Sequence, residues 1–454
     1  MLYLLFAICS TFVAFAAPPT KSDLEKPLSK ITFGSCYRAH NGHSKLWPLI
    51  IEEDSDLWIW MGDSYYADKW RSEPATTKEE FFDAQKLNFE TDELYKELTA
   101  KTPVVAIWDD HDYGQNNGGA DYEFKEESKE IFLDFYQEPE KSPRRSREGI
   151  YTSYMFGPKG KRVQIILLDL RTFRSPLKEG ERLADPSRGK CLPEESASAT
   201  MLGEAQWDWL AKELEKEADL RVIGSSVQFV SEFDGWEAWA NFPKEKKKFV
   251  ELVKAKKAEG VVFISGDAHK GELHLQEFDG CYSFWDLTSS SLISGVPHNE
   301  TQTLCGVAYD QPNYGVLRIN WSRREVVMEV KGADKVAHIH KAIKFDTLTF
   351  DSKNLEKPDF DDALGAWRHR FGTFYLAKKA PGVFVNQYVD RGRNGTIELI
   401  KEGDYLVGVR EVGEEKGVCK FRATKDGKFL QAIYSKDSNE PLYDWNGWRE
   451  VPKK

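Results

Sequence analysis

"PVVAIWDDHD", residues 103–112, is an apolar run that stops abruptly in three aspartates and a histidine. The run is short and rich in β-branched residues, so it reads as a buried strand, and the acidic tail is too polar to continue it. The pattern recurs in "ITFGSC" (31–36), "DLWIWMGD" (56–63), "RVQIILLDLR" (162–171), "LRVIGSSVQF" (220–229) and "GVVFISGDAH" (260–269), each running into a polar or glycine-containing turn. Helical patterns lie between them: "KEEFFDAQKLNFETDELYKELTA" (78–100), "LGEAQWDWLAKELEKE" (202–217) and "PKEKKKFVELVKAKKAEG" (243–260), where Gly260 is suited to a helix C-cap. Strand and helix in alternation predict an α/β sheet covered by helices.

The strand ends carry the chemistry. Four of them finish in acidic or metal-binding residues: Cys36, Asp63, Asp109 with Asp110, and Asp267 with His269. Ligand sites of open α/β sheets lie beyond the carboxyl ends of the strands, so these residues can converge from distant positions. Asp63 follows a glycine and can bridge two cations, one per carboxylate oxygen, or else cap the next helix. Asp109 and Asp110 repel each other unless a cation or shared proton neutralises them, although one of them can instead bond the backbone. His111, if not simply a surface histidine, is suited to act as an acid or as a donor to developing negative charge. In extended geometry Asp267 and His269 project to one side and address one site. Cys36 is either a thiolate ligand or a small buried hydrophobe. In "LLDLRTFRS" (167–175), Arg171 either meets phosphate oxygens or pairs with the acidic strand ends. Trp236 and Trp239 either line a pocket or pack.

Composition bounds these readings. The 454 residues suffice for a large domain and a smaller one, and 41% hydrophobic and 13% aromatic content excludes a disordered chain. A net charge of −11 argues against a nucleic-acid-binding surface, so a phosphate-bearing ligand must be held locally. The apolar N-terminus "MLYLLFAICSTFVAFAAPP" reads as a signal peptide over residues 1–17 in preference to a membrane anchor, and predicts a secreted protein or one in the secretory-pathway lumen. The run is too short for a stable membrane span, and no later segment is long and apolar enough. Sequons at Asn299, Asn320 and Asn394 are compatible with a glycoprotein. Beyond Cys9 the chain has Cys36, Cys191, Cys281, Cys305 and Cys419, an odd number, with Cys281 and Cys305 nearest each other. Residues 346–454 change to short alternating runs with glycine and charged turns, a small β-rich accessory region.

The order "FGSC", "GDSYY", "WDDHDYGQNN", "GIYTSYMFG", "LDLRTFR", "LGEAQWDWL", "SGDAH" and "LTSS", over about residues 30–345, resembles the PhoD-like branch of the metallophosphatases, secreted alkaline phosphatases and phosphodiesterases. The resemblance implies a four-layer αββα sandwich around a mixed-metal centre, with iron held by a cysteine and a tyrosine beside calcium. Carried over, Cys36 and Tyr66 are ligands of the iron-like ion, Asp63 is the bridging carboxylate, and Asp267 and His269 are ligands from the far strand. By similarity to the wider metallophosphatase pattern, Asp110 holds the second cation and His111 stabilises the transition state. Asp109 and Asn116 are further candidates for metal or substrate contact. Zinc, manganese or magnesium can replace either ion at such donors. The "DDHDYGQNN" segment is one residue longer than the family's, and the C-terminal region has no counterpart in it.

The implied reaction is hydrolysis of a small-molecule phosphate mono- or diester by metal-bound hydroxide, with His111 and Arg171 neutralising charge. Two other readings compete with it. "GDS" at 62–64 offers Ser64 as the nucleophile of a GDS-type esterase, and the metal could serve only to stabilise a non-catalytic secreted binding protein.

Overall fold

The structure, a computed structural model, describes residues 18–39, 42–68, 73–181, 189–231, 235–295, 305 and 308–350, together with strands between 365 and 448. The stretch read as a signal peptide and the sequon at 299–301 lie outside the described residues.

The apolar runs become strands close to where their sequence places them: β1 Lys30–Gly34, β2 Leu57–Met61 and β3 Val104–Ile107, then β4 Thr152–Phe156 and β5 Val163–Leu167. A small hairpin, β6 Lys178–Glu179 and β7 Cys191–Leu192, precedes β8 Leu220–Ser225, β9 Val261–Ser265, β10 Gly271–Gln276 and β11 Phe284–Ser289. Three long strands follow, β12 Asn313–Asn320, β13 Glu325–Gly332 and β14 Ala337–Lys344. Apart from that hairpin, the strands from β1 to β14 form two six-stranded sheets, ordered β14-β13-β12-β1-β2-β3 and β10-β11-β9-β8-β5-β4. Pairing is parallel among β1, β2 and β3 and among β5, β8, β9 and β11. These are strands buried on both faces, which is why they read as continuous apolar runs.

Side-chain alternation on β2 shows how the layers stack. Trp58 and Trp60 face outward into a helical layer, where Trp47 lies 5.6 Å from Trp58, and Phe89 and Tyr95 each lie 5.9 Å from Trp60. Met61 turns the other way, toward the second sheet. A Cβ on Gly224 of β8 would stand 3.4 Å from its sulfur and 2.6 Å from a methyl of Leu167, so any side chain there would have to displace Leu167. Across the second sheet, Phe263 stacks on Phe229 at 4.1 Å and meets Phe249 of the helix Pro243–Lys256 at 5.3 Å. The result is helices, sheet, sheet, helices, as the resemblance implies.

Two helix readings need correction. The stretch 78–100 is not one helix: Lys78–Gln85 passes into a π-helical turn, Lys86–Glu90, and a separate helix Glu93–Thr99 follows. Asp92 makes the break, because its carboxylate caps the Leu94 and Tyr95 amides and accepts from Trp47 Nε1 at 2.7 Å and from Tyr37. Gly260 is not a C-cap either. Lys257 takes the left-handed position at φ 48°, and Gly260 instead lets the chain cross close to Asp219 before β9.

Among the described residues beyond 364, nine further strands pair antiparallel. Glu415–Ala423 pairs with both Tyr405–Val412 and Phe429–Ser435, and Gly447–Trp448 pairs with both Gly365–His369 and Phe429–Ser435. On Arg393–Glu402, buried Ile397 and Leu399 alternate with exposed Glu398 and Ile400, the period-2 pattern of a strand with one covered face. Cys281 and Cys305 are both buried thiols.

Candidate metal centre

The parallel strands deliver their ends to one place, and the backbone bends sharply to aim the side chains. Cys36, Asp63, Asp267 and His269 all have left-handed backbones, φ 58°, 50°, 60° and 53°. Each such position costs a non-glycine residue on the order of 1–3 kcal/mol, and such strain persists only where surrounding structure over-determines it, typically at functional sites. Two glycines make the crowding possible. A Cβ on Gly62 would fall 2.3 Å from Asp109 Cβ, and one on Gly266 would fall 2.6 Å from the Met61 carbonyl. The left-handed turns also correct the extended i, i+2 reading of Asp267 and His269, which lie beyond the end of β9 and join different donor sets.

Those sets overlap. Ligand atoms of Cys36, Asp63 and His269 lie within 4.8 Å of one another, as do those of Asp63, Asp110 and His111, and those of Asp63, Asp109, Asp110 and Asp267. Asp63 is common to all of them. Its Oδ2 accepts from Cys36 Sγ at 3.4 Å and from the Tyr66 hydroxyl at 3.2 Å, while Oδ1 faces the His111 amide at 3.4 Å. It is buried, and the next helix in sequence is capped by Thr77 instead.

The charge balance favours bound cations. Burial, followed by the neighbouring carboxylates, pushes Asp63 and Asp267 well above the usual carboxylate range. Burial likewise raises Asp109, to about 7, against the pull of Arg171. Burial also pushes the Cys36 thiol up, helped by Asp63 and Asp267. Only Asp110 is held low, because His111, Arg171 and the Asn117 amide outweigh its burial. Asp109 Oδ2 and Asp110 Oδ1 are buried without a hydrogen-bond partner, which is rare for polar atoms unless something else satisfies them. Cations of metal type fit this donor set.

His111 is fixed from two sides. Its Nδ1 lies 2.7 Å from Asp68 Oδ1, and its ring stacks on Tyr66 with centroids 4.1 Å apart. Burial would depress its pKa, but Asp110 and Asp68 more than offset that and raise it.

Several residues that shape the site were not singled out from sequence. Asp112 binds no cation set; it ties two strand-end loops together, accepting from the Ser64 amide at 2.8 Å, the Asp109 amide at 2.9 Å and the Asp63 amide. Asn88, in the π-helical turn, donates to the carbonyls of Tyr37 and Ser64. Ser290, in the "LTSS" segment, accepts from the His269 amide and lies 3.7 Å from Cys36 Sγ. Glu237 anchors Arg171 and Arg174. Asp112 stands inside "WDDHDYGQNN" and Asp68 two residues beyond "GDSYY", and the i, i+3 spacing of Asp109 and Asp112 is that of a capping pair.

Other expectations are resolved differently. Arg171 is fully buried, its guanidinium donating to Asp109 at 2.9 Å, to Glu237 at 2.8 Å and to the Gly118 carbonyl. The geometry therefore supports the ion pair rather than a direct charge-neutralising role at substrate. Arg171→Ala strands two buried carboxylates and is expected to cost about 3–5 kcal/mol of stability. Thermal unfolding checks this; unchanged stability with only a raised KM would restore the substrate role. Ser64 is also corrected as a nucleophile. It is fully buried, donates to Asp112 at 2.5 Å, accepts from Tyr136 at 2.7 Å, and has no histidine partner among its hydrogen bonds. Asn116 is half-buried, and it is the neighbouring Asn117 amide that reaches Asp110, at 2.7 Å. Trp239 packs, its indole donating to Ser225, whereas Trp236 is 39% exposed.

A two-sheet α/β sandwich with an acidic, cysteine-containing donor cluster at its strand ends has the architecture of a metallohydrolase. The chain belongs to the PhoD-like phosphatase family, whose model matches residues 31–333. It is 22% identical over 276 residues to alkaline phosphatase D of Bacillus subtilis (strain 168), an alignment covering 54% of this chain and 46% of that protein, so the match spans under half the relative's length. Its fold is similar to a solved structure titled "Structure of PhoD", with a TM-score of 0.55 and 16% identity, covering 73% of this chain and 72% of the other.

Proposed function

We propose that this chain is a metal-dependent hydrolase of small-molecule phosphoric esters, monoesters, diesters or both, built around a binuclear centre. The observation that carries this reading is the sharing of Asp63 between a sulfur- and nitrogen-bearing donor set and an all-carboxylate set. Cys36, Tyr66 and His269 suit iron or another transition metal, while Asp109, Asp110 and Asp267 suit a hard cation such as calcium; zinc, manganese and magnesium are compatible alternatives. When bound, such cations supply Lewis acidity and an acidified water. The protein's part is to hold them in register through Asp63, to seat the phosphate over them, and to aim the His111 imidazole at the ester oxygen that gains charge. Asp68 fixes the ring and, with Asp110, raises its pKa against burial, a pairing that a merely metal-stabilised binding protein does not need. The apolar stretch 1–17 supports passage into the secretory pathway, and the sequon at Asn320 supports glycosylation there.

The test is turnover of a chromogenic phosphate monoester, a phosphate diester and a carboxylic ester by wild type and Ser64→Ala, with and without a chelator. Both proteins are expected to cleave phosphate esters only, and chelation to stop them. Ser64→Ala should fall by no more than roughly 10–100-fold, because it loosens Asp112 rather than removing a nucleophile. Carboxylic-ester cleavage that survives chelation and vanishes in Ser64→Ala would establish the serine esterase instead.

A further inference from the structure

We infer that Glu272, acting through Lys270, is a positioning residue that holds His269 ready for its cation; this rests on the metal-centre reading above. His269 has a left-handed backbone at φ 53° and shares a donor set with Cys36 and Asp63. Such a conformation persists only where its surroundings grip it. Ser290 grips the backbone on both sides: its hydroxyl accepts from the His269 amide, and its own amide donates to the Lys270 carbonyl at 3.2 Å. The Lys270 side chain is gripped as well. It is buried, and its ammonium lies 3.3 Å from Glu272 Oε1.

Glu272 is anchored from outside the donor cluster. Lys270, Glu272 and His274 alternate along one strand direction and so share a face of the sheet. The opposite face is the one on which a Cβ at Gly271 would fall 2.5 Å from Val330 of β13. On β11, Thr288 stands across from Glu272 and Asp286 across from His274. Glu272 Oε2 accepts from Gln228 at 2.8 Å and lies 3.1 Å from His274 Nε2. Gln228, on the loop after β8, also donates to Thr288 at 2.8 Å. Ser265, the last residue of β9, lies 2.8 Å from Thr288 Oγ1 and donates to Asp286 at 2.8 Å, and Asp286 accepts the Phe229 and Val230 amides. The carboxylate is therefore tied to two strands and the loop after a third. Burial opposes its charge, but Lys270, then His274 and Gln228, pull its pKa down to about 2. A buried ion pair gains little stability over apolar residues of similar volume. What this pair does supply is a fixed point for the residue next to a metal-type donor.

The experiment titrates zinc, and separately calcium, into metal-stripped wild type, Glu272→Gln and Lys270→Met, and records the melting of each stripped protein. Zinc reports the sulfur- and nitrogen-bearing set, calcium the all-carboxylate set. Each variant is expected to bind zinc roughly 10–100-fold more weakly, the usual result of altering a residue that orients a ligand, with calcium affinity changed much less. The double variant Lys270→Met with Glu272→Gln should be no worse than either single one, because both act through one contact. Unchanged zinc binding overturns the inference, as does an equal loss for both ions, which marks a merely structural pair. Should a single variant fail to fold, the double variant decides, since it leaves neither charge unpaired: a selective zinc defect supports the assignment, and parity with wild type overturns it. Phosphate-ester turnover by zinc-loaded wild type, measured alongside, tests the phosphoesterase reading separately.

Discussion

Asp63→Asn is expected to lower phosphate-ester turnover by about a thousandfold or more, with bound metal lost in parallel. The size follows from position. Among the described residues, Asp63 is the carboxylate within reach of Cys36 and His269 on one side and of Asp109, Asp110 and Asp267 on the other. An asparagine keeps the shape but offers a single neutral oxygen, so it cannot serve both sides. Losing several kcal/mol of transition-state charge stabilisation is worth three or more powers of ten in rate. The fold itself should survive. Burial raises the Asp63 carboxyl well above its ordinary range, which means that its ionised form opposes folding at neutral pH. With metal chelated from both proteins, Asp63→Asn is therefore expected to melt no lower than wild type. Normal turnover by a fully metal-loaded Asp63→Asn would remove Asp63 from the centre of the site.

His111 and Asp68 should behave as a unit. His111→Ala is expected to reduce kcat by about 10²–10⁴-fold, the range for a positioned acid. Asp68→Asn should cost about 10–100-fold, as is usual when the partner orienting a functional group is altered. Asp68 is buried, accepts from His111 at 2.7 Å, and its other oxygen has no hydrogen-bond partner. Its loss therefore acts on the imidazole and not on a surface network. In a double-mutant cycle, Asp68→Asn should add little to His111→Ala. Both defects should shrink on esters of strongly acidic phenols, whose leaving oxygens need no proton. Additive effects, equal for good and poor leaving groups, would mean that the pair is structural.

The strands and the metal-type donors were legible in sequence because each depends on local pattern. A buried parallel strand announces itself as an apolar run, and a residue placed just past it has little choice about which end of the sheet it occupies. Cys36, Asp63, Asp110, Asp267 and His269 were each placed that way, and the structure brings them into overlapping clusters. Asp112, Glu237 and the true work of Arg171 were not, because their meaning depends on which loops meet. Arg171 follows β5, and its partners Asp109 and Glu237 follow β3 and β8, strands of two different sheets whose facing no local pattern encodes. The helix break at Asp92 had the same origin. An aspartate in a helical pattern looks tolerable until Trp47, from another helix, supplies the indole that holds it. Left-handed backbones at Asp267 and His269 were equally hidden, since those residue types do not demand them as glycine would.

The most direct measurement strips the purified protein of metal, returns iron and calcium in steps, and follows bound metal and phosphate-ester turnover on the same samples. Turnover is expected to be absent from the stripped protein and to rise in proportion to ions bound, with more than one ion per chain at full activity. Full turnover in the stripped protein, or saturation with metal without any turnover, would contradict the assignment of the buried acid cluster as a catalytic cation site.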